Sequence, residues 1–136
     1  MNIKNNNFIC VILAGGLSKR FGGETKTFGK INGITIFEKI IKILKKQNTK
    51  ILINNNIDKE KFSNNNIEII SDIDNKFQGP LAGILATMLW IKKHHSNIEW
   101  IMSVPSDTPF LPINLLNSFK SKIKNENNIL IARSNG

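Results

Sequence analysis

An apolar strand that empties into a basic, glycine-rich loop constrains this chain more than any other feature. Phe8-Ile9-Cys10-Val11-Ile12 is an unbroken apolar run with the length and composition of a fully buried β-strand. It leads at once into Leu13-Ala14-Gly15-Gly16-Leu17-Ser18-Lys19-Arg20-Phe21-Gly22-Gly23, closed by Lys26. Glycines at 15, 16, 22 and 23 let the backbone bend sharply and approach a ligand closely. Backbone N–H groups in such a loop can face anionic oxygens, and Lys19, Arg20 and Lys26 add positive charge beside them. The segment therefore reads as a loop for nucleotide phosphates. It is not a Walker A loop, because no Gly-Lys-Ser/Thr follows at the required spacing. Nor does the adjacent pair Gly15-Gly16 fit the Rossmann pattern G-x-G-x-x-G. On glycine content alone, a plain strand-to-helix turn explains it equally well.

The formal charge of +9 invites a nucleic-acid reading, but the basic residues are nearly all lysines dispersed along the chain. Dispersed charge marks a solvated surface, so no specific nucleic-acid partner is expected, while anionic ligands such as triphosphates are favoured. A length of 136 residues suits one domain with a reasonable core. The single cysteine, Cys10, excludes an internal disulfide and lies in the first apolar run, where a buried structural thiol is expected. A reducing cytoplasm is the simplest compartment. No apolar stretch approaches the roughly 18 residues of a membrane span, so no membrane association is expected.

Further along, residues 29–33 read as a turn. Thr35 and Glu38 form a capping box for a helix reaching about Asn48, with Ile36, Phe37, Ile40, Ile41, Ile43 and Leu44 on its apolar face. Lys50-Ile51-Leu52-Ile53 predicts a second strand, ending in Asn54-Asn55-Asn56; Ile67-Glu68-Ile69-Ile70 predicts a third, ending in Ser71-Asp72. Residues 58–66 fit a short helix or a loop. Residues 81 to about 94 predict a well-buried helix after Gly79-Pro80, with His94-His95 as its end rather than a metal pair. Residues 99–104 predict a fourth strand entering Pro105-Ser106-Asp107-Thr108-Pro109, then a helix from Pro112 to about Lys124, and a last strand over Ile129-Leu130-Ile131. Alternating strands and helices imply an α/β fold, a Rossmann-like three-layer sandwich with a mainly parallel sheet, in one domain over residues 1–136. Ligands bind such sheets at the carboxyl ends of the strands, so the glycine loop, Asn54, Asp72 and Asp107 should gather at one edge.

Each of these residues has an ordinary alternative. Lys26 neutralises phosphate charge or is a solvated loop lysine, and Arg20 does the same or braces the loop. Asn54 reads a base edge with its amide or is a turn residue. Asp72 is a ligand contact or a helix cap. Asp107, between Pro105 and Pro109, is the strongest carboxylate for Mg²⁺, a hard cation that often takes one or two carboxylates together with substrate phosphates.

The opening string LAGGLSKRFGGETK resembles the signature L-A-G-G-x-S-x-R-M-G followed by lysine, which belongs to the nucleotidyltransferases related to molybdenum cofactor guanylyltransferase. Phe21 replaces the usual methionine, and Thr25, with Glu24 before it, replaces the acidic residue that often precedes the lysine. Gln78-Gly79-Pro80-Leu81-Ala82-Gly83-Ile84 is similar to the family's G-P-L-A-G segment, and Val104-Pro105-Ser106-Asp107-Thr108-Pro109-Phe110-Leu111-Pro112 to its P-x-D-x-P-F-L motif. The resemblance spans nearly the whole chain. It implies a guanine nucleotide held by Leu13, Ala14, Gly15, Gly16, Lys26, Asn54, Asp72 and Asp107. Arg20, Lys26 and Asp107 would be the catalytic residues, and Asp107 would be the Mg²⁺ ligand.

The implied reaction moves GMP from GTP to the phosphate of molybdenum-molybdopterin, releasing pyrophosphate, with molybdopterin or its molybdenum form and molybdoenzyme-maturation proteins as partners. The attacking phosphate is already anionic, so no essential general base is expected. The family continues past a strand like 129–131, and the chain is expected to be C-terminally shortened and weak or inactive as a transferase. The alternatives are a related CTP or sugar-phosphate nucleotidyltransferase and a truncated, inactive nucleotide-binding or interaction module.

Overall fold

The computed structural model describes residues 7–15, 26–56, 59–62, 66–73, 79–124 and 129–133. Its centre is β1 (Phe8–Leu13), where Phe8 through Ile12 are all buried. Side chains alternate across a strand, so Phe8, Cys10 and Ile12 enter one core while Ile9 and Val11 enter another. A strand covered on both faces needs apolar residues at every position, which explains the unbroken run. Burial also pushes the Cys10 thiol up to about 12, as befits a structural cysteine.

After a short 3-10 turn at Lys26–Phe28, the chain forms a hairpin from β2 (Lys30–Ile31) and β3 (Ile34–Thr35). Asn32 and Gly33 adopt φ of 54° and 79°, the left-handed pair that a two-residue hairpin turn requires. Helix α1 (Ile36–Lys45) follows, with the expected capping box: Thr35 Oγ1 accepts from the Glu38 N–H at 3.1 Å, and the Thr35 N–H donates to Glu38 Oε2 at 2.9 Å. The remaining elements are β4 (Lys50–Asn54), α2 (Lys59–Phe62), β5 (Glu68–Ile70), α3 (Pro80–His94), β6 (Trp100–Pro105) and α4 (Leu115–Lys120).

The main sheet runs β5-β4-β1-β6, all parallel; β2 and β3 form the separate antiparallel ribbon. The connection through α1 carries the chain from β1 to β4, and α2 carries it outward to β5. Both helices deliver side chains to the core that contains Phe8, Cys10 and Ile12, as α4 does through Leu116. The connection through α3 returns in the opposite direction to β6 and packs on the other face through Ala86 and Ile91. Right-handed crossovers require this exchange of faces when the direction of travel reverses. The result is the expected three-layer α/β sandwich, and the reversal places the switch point between β1 and β6.

Three expectations are corrected. Ile129-Leu130-Ile131 forms no strand: it makes no ladder with the main sheet, and Ile129 and Ile131 are 77% and 86% exposed. A three-residue apolar run without a partner edge gains too little burial to offset its ordering cost. Helix α4 begins at Leu115 and ends at Lys120, shorter than the span from Pro112 to Lys124, with residues 112–114 leading in as a turn. Helix α3 is buried on one face only; Gly83, Ala86, Thr87 and Ile91 face inward, whereas Leu81, Leu85, Met88 and Leu89 are exposed. No helix among the described residues is long and apolar enough to cross a membrane.

Candidate nucleotide site

Register gathers the proposed residues. Leu13, the last residue of β1, lies opposite Asn54 of β4 on one side and Pro105 of β6 on the other, while Asn54 lies opposite Ile70 of β5. The carboxyl ends of the strands are therefore level, and whatever follows each one shares an edge. Backbone bonds continue past the ladder: the Ala14 N–H donates to the Asn54 carbonyl at 2.8 Å, and the Ser106 N–H to the Leu13 carbonyl at 3.2 Å. The start of the glycine loop is thus fastened from both sides.

At the β4–β5 end, three consecutive asparagines take three separate jobs. Asn54 is only 3% exposed, and its Nδ2 donates to Asp72 Oδ1 at 2.8 Å and to the Ile70 carbonyl at 3.4 Å. Asn55, also buried, donates from Nδ2 to the Ala14 carbonyl at 2.9 Å and so ties the loop entrance down. Asn56 donates from Nδ2 to Asp72 Oδ2 at 2.7 Å and accepts the Asp72 N–H on its Oδ1 at 2.7 Å. Both Asp72 oxygens are therefore held by side-chain amides, one from each flanking asparagine.

The two glycines nearest this cluster are there for closeness. A Cβ at Gly15 would lie 3.2 Å from Asn54 Oδ1 and 3.3 Å from Asn56 Nδ2. At Gly83, in the first turns of α3, a Cβ would lie 2.3 Å from Asn54 Oδ1, a distance real side chains do not tolerate, and a tight 3.1 Å from Leu13 Cδ2. Thus α3 presses its N-terminal half directly onto Asn54. Thr87 supports that turn by donating its hydroxyl to the Gly83 carbonyl at 2.7 Å.

At the β6 end, Asp107 is exposed on the turn after Pro105, and Lys26 is exposed at the start of the 3-10 turn. Between them, Thr27 Oγ1 donates to Ser106 Oγ at 2.9 Å, and Thr27 is buried. That bond joins the immediate neighbours of Lys26 and Asp107. Among the described residues no group of three His, Cys, Asp or Glu side chains could hold a metal. A lone accessible carboxylate is nevertheless a fitting donor for a hard divalent cation that keeps water and phosphate oxygens as its other ligands. His94 and His95 end α3 far along it, His94 stacked on Trp90 with ring centroids 4.6 Å apart, consistent with a helix end.

Of the residues proposed from sequence, Leu13, Ala14, Gly15, Asn54 and Asp72 are brought into one hydrogen-bonded and packed cluster, and Lys26 and Asp107 lie on segments joined by Thr27 and Ser106. Gly16 and Arg20 lie outside the described residues. Asn55, Asn56, Thr27, Ser106 and Gly83 carry roles that the sequence reading does not assign. The run Asn54-Asn55-Asn56 at a strand end was a usable signal, masked by the abundance of asparagine elsewhere.

Comparison with known proteins agrees with this architecture. Residues 10–136 match the MobA-like NTP transferase domain. A molybdenum cofactor guanylyltransferase of Nitrobacter hamburgensis is 42% identical over 106 residues, covering 78% of this chain and 51% of that protein. One of Rhodopseudomonas palustris is 36% identical over 127 residues, covering 93% and 60%, and one of Shewanella baltica is 35% identical over 126 residues, covering 93% and 62%. The chain thus spans between half and two thirds of the length of these relatives. The crystal structure of Rv0371c from Mycobacterium tuberculosis superposes with a TM-score of 0.65 over 88% of this chain and 61% of that one, at 12% identity, a likeness of fold. The strand order, the level carboxyl edge and these matches together establish that the chain belongs to the MobA-like NTP transferase family.

Proposed function

We propose that this chain is the nucleotide-binding part of a molybdenum cofactor guanylyltransferase, working in a reducing cytoplasm. It would bind GTP and transfer GMP to the phosphate of molybdenum-molybdopterin, with release of pyrophosphate. The observation that carries the reading is the Asp72 carboxylate at the carboxyl edge of the sheet, held through both oxygens by Asn54 and Asn56 beside Gly15. A carboxylate held in this way suits a base edge that offers two neighbouring N–H donors, which guanine does and adenine and cytosine do not. Relatives named as guanylyltransferases support the same choice of base.

In this reading the base lies toward Asp72 and the phosphates toward the loop after β1. The backbone of Leu13, Ala14, Gly15 and Gly16 would line the nucleotide, with N–H groups from Gly15 onward facing phosphate oxygens because the Ala14 N–H is taken by the Asn54 carbonyl, and Lys26 and Arg20 would neutralise charge as pyrophosphate separates. Asp107 would hold a divalent cation, Mg²⁺ by preference, which supplies Lewis-acid stabilisation of the phosphoryl oxygens when bound. The acceptor phosphate is already an anion, so the protein need not remove a proton from it. Catalysis then rests on positioning and charge neutralisation. Proteins that mature molybdoenzymes are natural partners for the product.

Competition among GTP, CTP and ATP for this chain in the presence of Mg²⁺ tests the reading. GTP should displace the others at the lowest concentration; equal displacement by all three, or preference for CTP, would refute it.

A further inference from the structure

We propose that Asn56 is a positioning residue for base selection: it aligns the Asp72 carboxylate so that one acceptor site on each oxygen is presented to the edge of the base. This inference rests on the guanine reading above and extends it to a residue that does not itself touch the nucleotide.

The geometry separates Asn56 from its neighbours. Its amide is spent on one residue in a reciprocal pair, Oδ1 accepting the Asp72 N–H and Nδ2 donating to Asp72 Oδ2, both at 2.7 Å. The first bond fixes the direction in which the Asp72 backbone leaves β5. The second fixes rotation of the carboxylate, because Asn54 already holds the other oxygen at 2.8 Å. A carboxylate has about four lone-pair sites, and these two amide donors take one on each oxygen. One site per oxygen is left, which is enough to accept two neighbouring N–H donors such as guanine N1–H and N2–H. With Asn56 absent, the carboxylate turns about its remaining bond and the paired acceptors lose their common direction.

Asn54 cannot be tested for this role cleanly, since it is buried between Gly83 and Asp72 and its removal disturbs the core. Asn56 is half-buried, at the rim of the same cluster and within 3.3 Å of a Cβ built on Gly15.

The test compares GTP with ITP, whose base lacks the 2-amino group, by titration with Mg²⁺ into the wild-type chain, Asn56→Ala and Asn56→Asp, with thermal unfolding recorded for each. The wild type should prefer GTP over ITP. Asn56→Ala should reduce that preference about tenfold, the equivalent of one charge-assisted hydrogen bond, while ITP affinity changes less than about threefold. Asn56→Asp, close to isosteric, keeps an acceptor for the Asp72 N–H but sets oxygen against oxygen at Oδ2, and should lose at least as much. A GTP-to-ITP preference unchanged in both variants, or equal weakening of GTP and ITP in step with a lowered melting temperature, would overturn the role of Asn56 and leave the guanine reading standing. A wild-type chain that binds GTP and ATP alike would overturn both.

Discussion

Thr27 Oγ1 lies 2.9 Å from Ser106 Oγ, so a buried hydroxyl just beyond the glycine loop grips the turn that carries Asp107. The two residues are 79 positions apart in sequence. Their bond spans the switch point between β1 and β6, where the proposed triphosphate would lie. It sets the spacing between the segment bearing Lys26 and the segment bearing Asp107.

Replacing Thr27 with Val keeps the shape and removes the donor. The expected cost is about 1 kcal/mol of stability, typical of one neutral hydrogen bond with a half-buried partner. GTP binding in Mg²⁺ should weaken severalfold, and binding without Mg²⁺ should change less, since the variant loosens the Asp107 turn. Ser106→Ala should act in the same way, and the double variant should be little worse than either single one, because both remove the same bond. Additive losses in a double-mutant cycle would show that the two hydroxyls act independently.

Gly83→Ala sets two effects against each other. Alanine in a helix is favoured over glycine by about 1 kcal/mol. Here its Cβ would sit 2.3 Å from Asn54 Oδ1 and 2.8 Å from Asn54 Cγ, and Asn54 is boxed in by β4, α3 and Asp72. Overpacking of a core costs about 1–3 kcal/mol, so the clash wins. Urea unfolding should show net destabilisation, and selectivity for GTP over ATP should fall as Asn54 is pushed away from Asp72. A stabilised variant with selectivity intact would mean that α3 yields and Asn54 stays.

The capping box of α1 predicts a specific acid response. Hydrogen bonds from the Thr35 backbone and side chain, with a smaller contribution from Lys30, hold the Glu38 carboxyl below its ordinary range. A carboxylate with a lowered folded pKa stabilises the fold above its unfolded pKa, and that contribution fades as pH falls through the lowered value. Glu38→Gln should therefore unfold at lower urea than wild type near neutral pH, and the difference should disappear in acid. A gap that persists below the wild-type folded pKa would assign the effect to packing rather than to the charge.

Particular residues show how much of the fold and the site is legible in the sequence. Thr35 and Glu38 were legible because a capping box depends on residues three apart, and the burial of β1 because a two-sided strand leaves no room for polar residues. The edge bearing Asn54 and Asp72 was legible because parallel sheets collect their strand ends. The hairpin at Asn32-Gly33 looked like a turn, since its two-residue strands are too short to show alternation. The exposed face of α3 was hidden by a helix apolar on all sides, whose composition cannot say which side is covered. Asn56 and Ser106 depend on Asp72 and Thr27, 16 and 79 residues away, through contacts that only the folded chain creates.

The central claim is that Asp72 selects guanine. It is tested most directly by calorimetric titration of GTP and ATP, with Mg²⁺, into the wild-type chain and Asp72→Ala. The wild type should prefer GTP by tenfold or more, and Asp72→Ala should bind both nucleotides with similar, ATP-like affinity because the phosphate contacts remain. An Asp72→Ala chain that stays folded and keeps the full wild-type preference for GTP would contradict the account.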